Sequence, residues 1–200
     1  RRKKVYGELF MIQVVDQNGE KVIQVDGLIQ SSSDPNNGYW HYMVPDREIK
    51  KVLLLGVGGG TIPKLILEKN PKAKILGIDN DPEIIQQGIE HFGLGNLDMD
   101  IIIGDAFTEV HNLTDKFDLI IVDIYSGYNF PLKFIMPKFL NKIYQLLTDD
   151  GDLYINTPNI DQALTLQLPT RKSLDLGGSK IYMYSKNDGI LVKATAENGK

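Results

Sequence analysis

Cysteine is absent from this sequence of 200 residues, which excludes disulfides, thiol nucleophiles and cysteine metal sites. Histidine is also scarce, because only His41, His91 and His111 occur and they are scattered along the chain. Transition-metal sites in proteins usually draw on clustered histidine or cysteine side chains. The sequence therefore predicts a protein without a metal site.

The chain also lacks long apolar runs and an excess of positive charge. No stretch of about eighteen apolar residues is present that would span a bilayer, and we expect no secretory signal. The net charge of −4 gives no general attraction to nucleic acid or anionic membranes. The basic stretch RRKK at 1–4 is interpreted as a solvated terminus rather than a phosphate-binding arm. We expect a cytoplasmic protein with no membrane partner, and nucleic acid is disfavoured as a partner.

The first part of the chain, residues 1–48, is predicted to be a small β-hairpin module. Residues 5–31 alternate between apolar and polar side chains and contain Asn-Gly and Asp-Gly turn signals at 18–19 and 26–27. A loop with the sequence SSSDPNNG follows. It leads into an aromatic cluster formed by Tyr39, Trp40, His41 and Tyr42.

From residue 51 the hydrophobic pattern changes, which predicts an α/β doubly wound, Rossmann-like domain over 49–200. Continuous apolar runs alternate with helical stretches, as is typical of parallel strands covered by helices on both faces. Helices are predicted at 62–69, 82–92 and 132–147, with Asp81 as the N-cap of the second. A final, antiparallel strand pair is predicted at 179–185 and 190–196. Within 158–178 we expect a partial helix near 160–167 and then a flexible loop.

Four of the predicted strands end in a glycine or a carboxylate, namely Gly56, Asp79, Asp105 and Asp123. Ligands of open α/β sheets bind beyond the carboxyl ends of the strands. The segment GVGGGT adds further glycines after the first of these strands, and such residues let a ligand approach the backbone closely. A dinucleotide fingerprint needs a glycine where Thr61 stands, so a nicotinamide dehydrogenase is disfavoured. A turn needed only for packing remains the structural alternative.

The three carboxylates suggest separate parts of a nucleoside and acceptor site. Asp79 is placed to accept hydrogen bonds from ribose hydroxyls, and Asp105 to accept one from an adenine amino group, with Phe107 against the ring. Asp123 is a candidate for orienting or deprotonating an amine nucleophile, in a pocket walled by Tyr125 and Tyr128. The structural alternatives are a solvated turn acid for Asp79, a surface acid for Asp105, a core phenylalanine for Phe107 and a helix cap for Asp123.

These residues and their context resemble the spermidine synthase family of aminopropyltransferases, within the S-adenosylmethionine-dependent methyltransferase superfamily. The similarity covers nearly the whole chain and includes VDGLIQSS, the glycine motif, DNDPEII, GDAF and VDIYSG. The resemblance implies a class I methyltransferase fold, a homodimer, and S-adenosylmethionine or its decarboxylated form as cofactor. It places Gln30 near the sulfur-bearing tail, Asp79 on the ribose, Asp105 on adenine, and Asp123 on the acceptor amine. The full predicted cofactor set is Gln30, Gly56, Gly58, Gly60, Asp79, Asp105, Ala106 and Asp123, with Asp123 and Tyr125 as catalytic residues.

The chain departs from the family pattern at acidic positions. The family's glycine motif holds the cofactor's terminal amine with an acid, and Gly59 stands at that position here. The family's second acid after the fourth strand falls on Ser126, and an acidic pair is missing from NNGYWHYM. Polyamine acceptors are multiply cationic, so these losses disfavour a standard spermidine synthase.

Three functions follow as alternatives. The first is a transferase that moves a methyl group from S-adenosylmethionine to a small acceptor. The second is an aminopropyltransferase with altered acceptor specificity, in which other acids such as Glu8 or Asp46 replace the lost ones. The third is a non-catalytic nucleoside-binding protein.

Overall fold

The computed structural model describes residues 2–5, 8–17, 19–35, 38–125, 130–157, 172–177 and 179–188. They form a four-stranded antiparallel sheet followed by a seven-stranded, mostly parallel sheet. The predicted Rossmann-like α/β class is confirmed. The predicted strand at 190–196, the partial helix near 160–167 and Tyr128 lie outside the described residues.

The N-terminal sheet contains more strands than the predicted hairpin. Its strands follow one another in space in the order of the chain, and each pairs with the next in antiparallel fashion. They are β1 (Arg2–Val5), β2 (Glu8–Gln17), β3 (Glu20–Val25) and β4 (Leu28–Ser32). One face buries Ile12, Ile23 and Val25 in a small core of their own. Arg2 to Lys4, which belong to the segment RRKK predicted to be a solvated terminus, thus contribute backbone to an edge strand.

The larger sheet has the spatial order β10-β11-β9-β8-β5-β6-β7, with β10 (Lys172–Asp175) and β11 (Lys180–Ser185) at one edge. Its five parallel strands are β5 (Lys51–Leu55), β6 (Lys74–Asp79), β7 (Met99–Ile103), β8 (Phe117–Val122) and β9 (Leu147–Thr157). The strand order reverses between β5 and β8, so their carboxyl ends form the crevice where ligands of such sheets bind. β5 and β8 are almost wholly buried because helices cover both faces.

The helices largely follow the predicted pattern. They are α1 (Thr61–Lys69), α2 (Pro82–His91), α3 (Ala106–Glu109) and α4 (Pro137–Leu146). Asp81 caps α2 as predicted, since its carboxylate accepts hydrogen bonds from the N–H groups of Glu83 and Ile84. The prediction of one helix over 132–147 was wrong. A 3₁₀ turn at Leu132–Ile135 ends before α4 because Met136, which precedes Pro137, is extended at ψ 149°.

The end of the sheet also differs from the prediction. Strand β11 (Lys180–Ser185) pairs with β9 on one side and with β10 (Lys172–Asp175) on the other, antiparallel to both. Strand β10 thus lies within a segment that was predicted to be a flexible loop. Exposed polar residues dominate β10, so its short sequence carries little strand signal.

Candidate functional site

A cavity of about 400 Å³ lies at the carboxyl ends of β5, β6 and β8. Most of the predicted site residues reach its wall. These are Gln30, Gly56, Gly58, Asp79, Asp105, Ala106, Asp123 and Tyr125. Gly60 is not part of the wall, because the space beside its Cα is filled by Leu94. Its positive φ of +96° instead forms the tight entry into α1.

The glycine segment is shaped by its contact with the end of β8. Gly56 has a φ of +89°, and a Cβ atom there would lie 2.1 Å from the carbonyl oxygen of Asp123. The N–H of Asp123 donates to the carbonyl of Leu55 at 2.8 Å. Gly56 thus allows the two central strands to end side by side, with Asp123 directly over the cavity.

The N–H groups of residues 56–60 in the glycine segment are all used inside the protein. Those of Val57 and Gly58 donate to one carboxylate oxygen of Asp79, at 2.9 and 3.0 Å. The N–H groups of Gly56 and Gly60 donate to backbone carbonyls, and that of Gly59 to a serine hydroxyl. A phosphate-binding loop needs free N–H groups directed at the anion. This segment offers none between 56 and 60, so it is not built to hold a phosphate.

The N-terminal sheet closes the site over the glycine segment. The hydroxyl of Ser31 accepts the hydrogen bond from the Gly59 N–H at 2.6 Å. The hydroxyl of Thr61 accepts from the N–H of Ser32 and donates to its carbonyl. A Cβ atom on Gly59 would lie 2.8 Å from both Ile23 and Ser31. The position of the family's acidic residue is therefore occupied by packing from β3 and β4.

Asp79 organises the glycine segment as well as lining the cavity. Its second oxygen accepts the N–H of Asp81 at 2.9 Å. Burial raises the pKa of Asp79, while hydrogen bonds from backbone N–H groups act in the opposite direction. Each carboxylate oxygen can accept more than one hydrogen bond, so ribose hydroxyls remain acceptable partners. The ribose role stays a prediction.

Asp105 is paired with a cation that sequence reasoning missed. Its carboxylate accepts the N–H of Phe107 and forms an ion pair of 2.6 Å with Lys133, which also lines the cavity. Phe107 packs parallel to Phe139 in the core and is absent from the cavity wall, where Phe134 lies instead. The structure thus agrees with the core alternative for Phe107.

Asp123 is held by two side chains from distant parts of the chain. The Tyr39 hydroxyl lies 3.0 Å from both carboxylate oxygens, and the Asn156 amide donates to one of them at 2.9 Å. Burial raises the pKa of Asp123 to about 6, although these two hydrogen bonds favour the charged form. Desolvation of the buried Tyr39 hydroxyl raises the pKa of this group, and the charge of Asp123 raises it further. The carboxyl group is therefore held in one orientation and has a pKa of about 6, above the ordinary value for aspartate.

Tyr125 lies on the same wall, and burial raises the pKa of its hydroxyl, with a smaller contribution from Asp123. A tyrosine with a raised pKa stays protonated at neutral pH and acts as a hydrogen-bond donor. Ser126 lies outside the described residues. Asp46, considered as a replacement acid, is exposed and paired with Lys69 at 2.7 Å, away from the cavity wall, so this expectation was wrong.

The titration of Asp123 predicts a pH-dependent stability. Its folded-state pKa of about 6 lies above the ordinary 3.8, so the contribution of the protonated group is complete below about pH 4 and is lost towards pH 6. Relative to Asp123→Asn, we expect the free energy of unfolding to fall by about 2 kcal/mol between these two pH values. This figure is about 1.36 kcal/mol per pKa unit, lowered because the Asp123 side chain is only half-buried. Urea unfolding of both proteins at the two pH values measures this difference. Parallel pH dependences would contradict it.

Three residues of the site escaped sequence reasoning. Tyr39 was recognised only as part of an aromatic cluster, while Asn156 and Lys133 carried no signal. Tyr39 lies in the connection between β4 and β5, and Lys133 lies in the 3₁₀ turn between β8 and α4. Asn156 lies near the end of β9, beside β8, so the rule that polar strand ends converge applies to it too.

A doubly wound sheet with a glycine segment after β5 and carboxylates after β6 and β8 defines a Rossmann-like, methyltransferase-type fold. Residues 47–188 match the methyltransferase domain family, and the chain belongs to that family. The predicted recognition of a spermidine synthase-like, methyltransferase-fold protein is confirmed.

Among the similar proteins, the polyamine aminopropyltransferase of Hydrogenobaculum sp. is 23% identical over 175 residues, covering 82% of this chain and 62% of that protein. A probable spermidine synthase from Corynebacterium glutamicum superposes with a TM-score of 0.71 at 16% identity, over 92% and 79% of the two chains. Human methyltransferase-like protein 13, in complex with SAH, has a TM-score of 0.62 at 21% identity, over 76% and 75%. The chain spans about three fifths or less of the curated aminopropyltransferases it matches.

Within the part of the chain that the structure describes, no helix is long and apolar enough to cross a membrane. The same residues contain no group of three or more histidine, aspartate or glutamate side chains arranged to hold a metal ion.

Proposed function

We propose that the protein is an S-adenosylmethionine-dependent transferase that moves a methyl group to a small acceptor. The single observation that carries this proposal is the placement of Asp123. It lies over the cavity at the point where the strand order reverses, and Tyr39 and Asn156 orient it. Family membership supports the reaction class.

The cavity fits an adenosyl group with a short tail. Its volume of about 400 Å³ lies within the range of small-molecule sites. Ile78, Ile84 and Phe134 provide apolar surface, and Asp79 and Asp105 provide acceptors for the ribose and the base. Gln30 lies in the wall and would contact the sulfur-bearing tail of the cofactor. Gly56 is needed beside the cavity because a Cβ atom at this position would collide with the backbone of Asp123. When bound, S-adenosylmethionine would supply a carbon activated by a positively charged sulfur.

Asp123 has the properties of a general base for the acceptor. With a pKa of about 6, it is mostly ionised at pH 7 and yet accepts a proton readily. It would take the proton that the acceptor nitrogen or oxygen loses when that atom bonds to the methyl carbon. The carbon–sulfur bond would break in the same step, and the electron pair would stay on sulfur, so that neutral S-adenosylhomocysteine leaves. Tyr39 and Asn156 keep the carboxylate in one orientation, which limits the entropy lost in the reaction.

The packing around Gly59 favours methyl transfer over aminopropyl transfer. Ile23 and Ser31 fill the space beside Gly59, so no acid from this position can contact a terminal amine. Aminopropyl transfer from the decarboxylated cofactor is the second candidate. The engaged N–H groups of the glycine segment favour it, because they offer nothing to a tail carboxylate. A non-catalytic nucleoside-binding protein remains the third, and any turnover that depends on Asp123 would exclude it.

Calorimetric titration with S-adenosylmethionine and with its decarboxylated form tests the proposal. We expect both forms of the cofactor to bind, and the carboxylated form to bind more tightly. Preference for the decarboxylated form would favour aminopropyl transfer, and binding of neither would overturn the assignment.

The Asp79→Ala variant is expected to weaken cofactor binding by on the order of 100-fold, because it removes charged hydrogen bonds to ribose and the support of the glycine segment. Asp98→Ala is the matched control, since Asp98 forms an exposed ion pair with Lys74. Calorimetry on both variants measures the difference. Equal cofactor affinities of Asp79→Ala and Asp98→Ala would exclude a contact between Asp79 and the cofactor.

We also propose a homodimer formed through the outer face of the N-terminal sheet. Met11 and Ile29 are 39% and 42% exposed. They lie on one face of the sheet, because Met11 is two residues from Gln13 on β2, and residues two apart on a strand share a face. Gln13 pairs with Gln24, which pairs with Ile29. Replacing both by lysine is expected to give a monomer by light scattering. Ile89→Lys, on exposed α2, is the control. A monomeric unmodified protein would contradict the proposal.

A further inference from the structure

A second cavity, more open and about 360 Å³ in volume, lies beside the first. Its described wall consists of Gly38, Tyr39, Tyr42, Leu176 and Ser179. Tyr39 also belongs to the wall of the first cavity, where its hydroxyl contacts Asp123. The two cavities therefore meet at the residue that orients the proposed base.

Two local structures build this wall. In one, the N–H of Tyr42 donates to the carbonyl of Tyr39 at 2.9 Å at the start of the 3₁₀ turn Trp40–Met43. Side chains three residues apart in such a turn lie above one another, so both tyrosines face the same side. In the other, the N–H of Leu176 donates to the carbonyl of Ser179 at 2.9 Å, which closes the connection between β10 and β11.

The two cavities also come close to each other at a second pair of residues. Ser179 of the second cavity lies beside the hydroxyl of Tyr125, which lines the first. A molecule seated against Tyr42 and Leu176 would therefore reach Asp123 by passing between Tyr39 and Tyr125.

The described wall of the second cavity contains no charged side chain. A second ammonium group placed there would lose hydration without gaining a carboxylate partner, which is costly. An apolar ring would instead gain contact with Leu176 and with the faces or edges of two tyrosines. The first amine of the same molecule would face Asp123.

Resting on the proposed function, we propose that the second cavity is the acceptor subsite and that it takes a monoamine with a flat apolar body. 2-Phenylethylamine is the probe for this class, and 1,4-diaminobutane is the probe for polyamine-type acceptors. The two compounds present the same primary amine to Asp123 and differ in what enters the second cavity.

Binding of each probe is measured by calorimetry, both to the free protein and to protein saturated with S-adenosylhomocysteine. We expect 2-phenylethylamine to bind at least about tenfold more tightly than 1,4-diaminobutane, a difference of about 1.4 kcal/mol. Diamine binding of equal or greater strength would overturn the proposal. Failure to bind S-adenosylhomocysteine would overturn the proposed function instead, while the titration of the free protein would still test the subsite.

Leu176→Glu places a carboxylate in the second cavity. We expect it to weaken 2-phenylethylamine binding by roughly fivefold or more and to strengthen diamine binding, since a charged pair replaces an apolar contact. Leu132→Glu is the matched control, because Leu132 is 60% exposed and lines neither cavity. Equal effects of the two substitutions would contradict the assignment. Tyr42→Ala provides a second variant, expected to weaken 2-phenylethylamine alone.

Discussion

Asp123→Asn is expected to lower the rate of transfer by about 10²- to 10⁴-fold, the usual contribution of a positioned general base. The amide has nearly the shape of the carboxylate and can still accept hydrogen bonds from Tyr39 and Asn156, but it cannot take a proton from the acceptor. Affinity for S-adenosylhomocysteine is expected to change by less than about threefold, because the effect lies in the chemical step. The measurement is kcat and cofactor Kd for wild type and variant.

The pH profile separates loss of a base from a general defect. Because the charged form of Asp123 accepts the proton, activity is expected to fall as the pH drops below the pKa of about 6. This acidic limb should be absent from the residual activity of Asp123→Asn. Asp46→Asn is the matched control, since Asp46 is an exposed acid paired with Lys69. Full turnover in Asp123→Asn would remove Asp123 from the mechanism.

Gly56→Ala is expected to lower the free energy of unfolding by more than about 3 kcal/mol, which is at the large end of single substitutions. Two costs add. The φ of +89° disfavours any residue with a Cβ atom, by about 1 to 2 kcal/mol. The new methyl group would also lie 2.1 Å from a backbone oxygen that belongs to the end of β8, and backbone cannot move aside as a flexible side chain does.

Gly177→Ala separates the two costs. Gly177 has nearly the same φ, +83°, and a Cβ atom there would meet nothing within 4 Å. We expect this variant to lose only about 1 kcal/mol, the conformational part alone. Urea unfolding of the two variants supplies the comparison. If both lose the same amount, the contact between Gly56 and Asp123 does not constrain the site.

The sequence predicted the core of the α/β fold because its signals are local. Continuous apolar runs identified the buried parallel strands, and Asp81 followed by Pro82 identified the start of α2. The predicted helix over 132–147 was wrong because Pro137 starts a new helix after the extended Met136 and does not continue one. The pairing of β11 with β10 also could not be read, since strand partners are chosen by tertiary contacts.

The site could be predicted where it depends on strand ends and not where it depends on side-chain partners. Asp79 ends β6, and Asp105 and Asp123 follow β7 and β8, so their convergence follows from topology. The contacts of Asp123 with Tyr39 and of Asp105 with Lys133 join residues far apart in the chain. No periodicity or spacing encodes such pairs, and they decide which charges remain available to a ligand.

The hydrogen bonds that join β4 to the glycine segment make the cofactor cavity a shared property of both sheets. Ser31 and Ser32 are buried, and they contact Gly59 and Thr61 at the entry to α1. If the N-terminal sheet separated locally, it would uncover the floor of the cavity at the same moment. We therefore expect the N-terminal sheet and the cavity to open as one cooperative unfolding unit. A ligand bound in the cavity should then slow amide hydrogen exchange in β4.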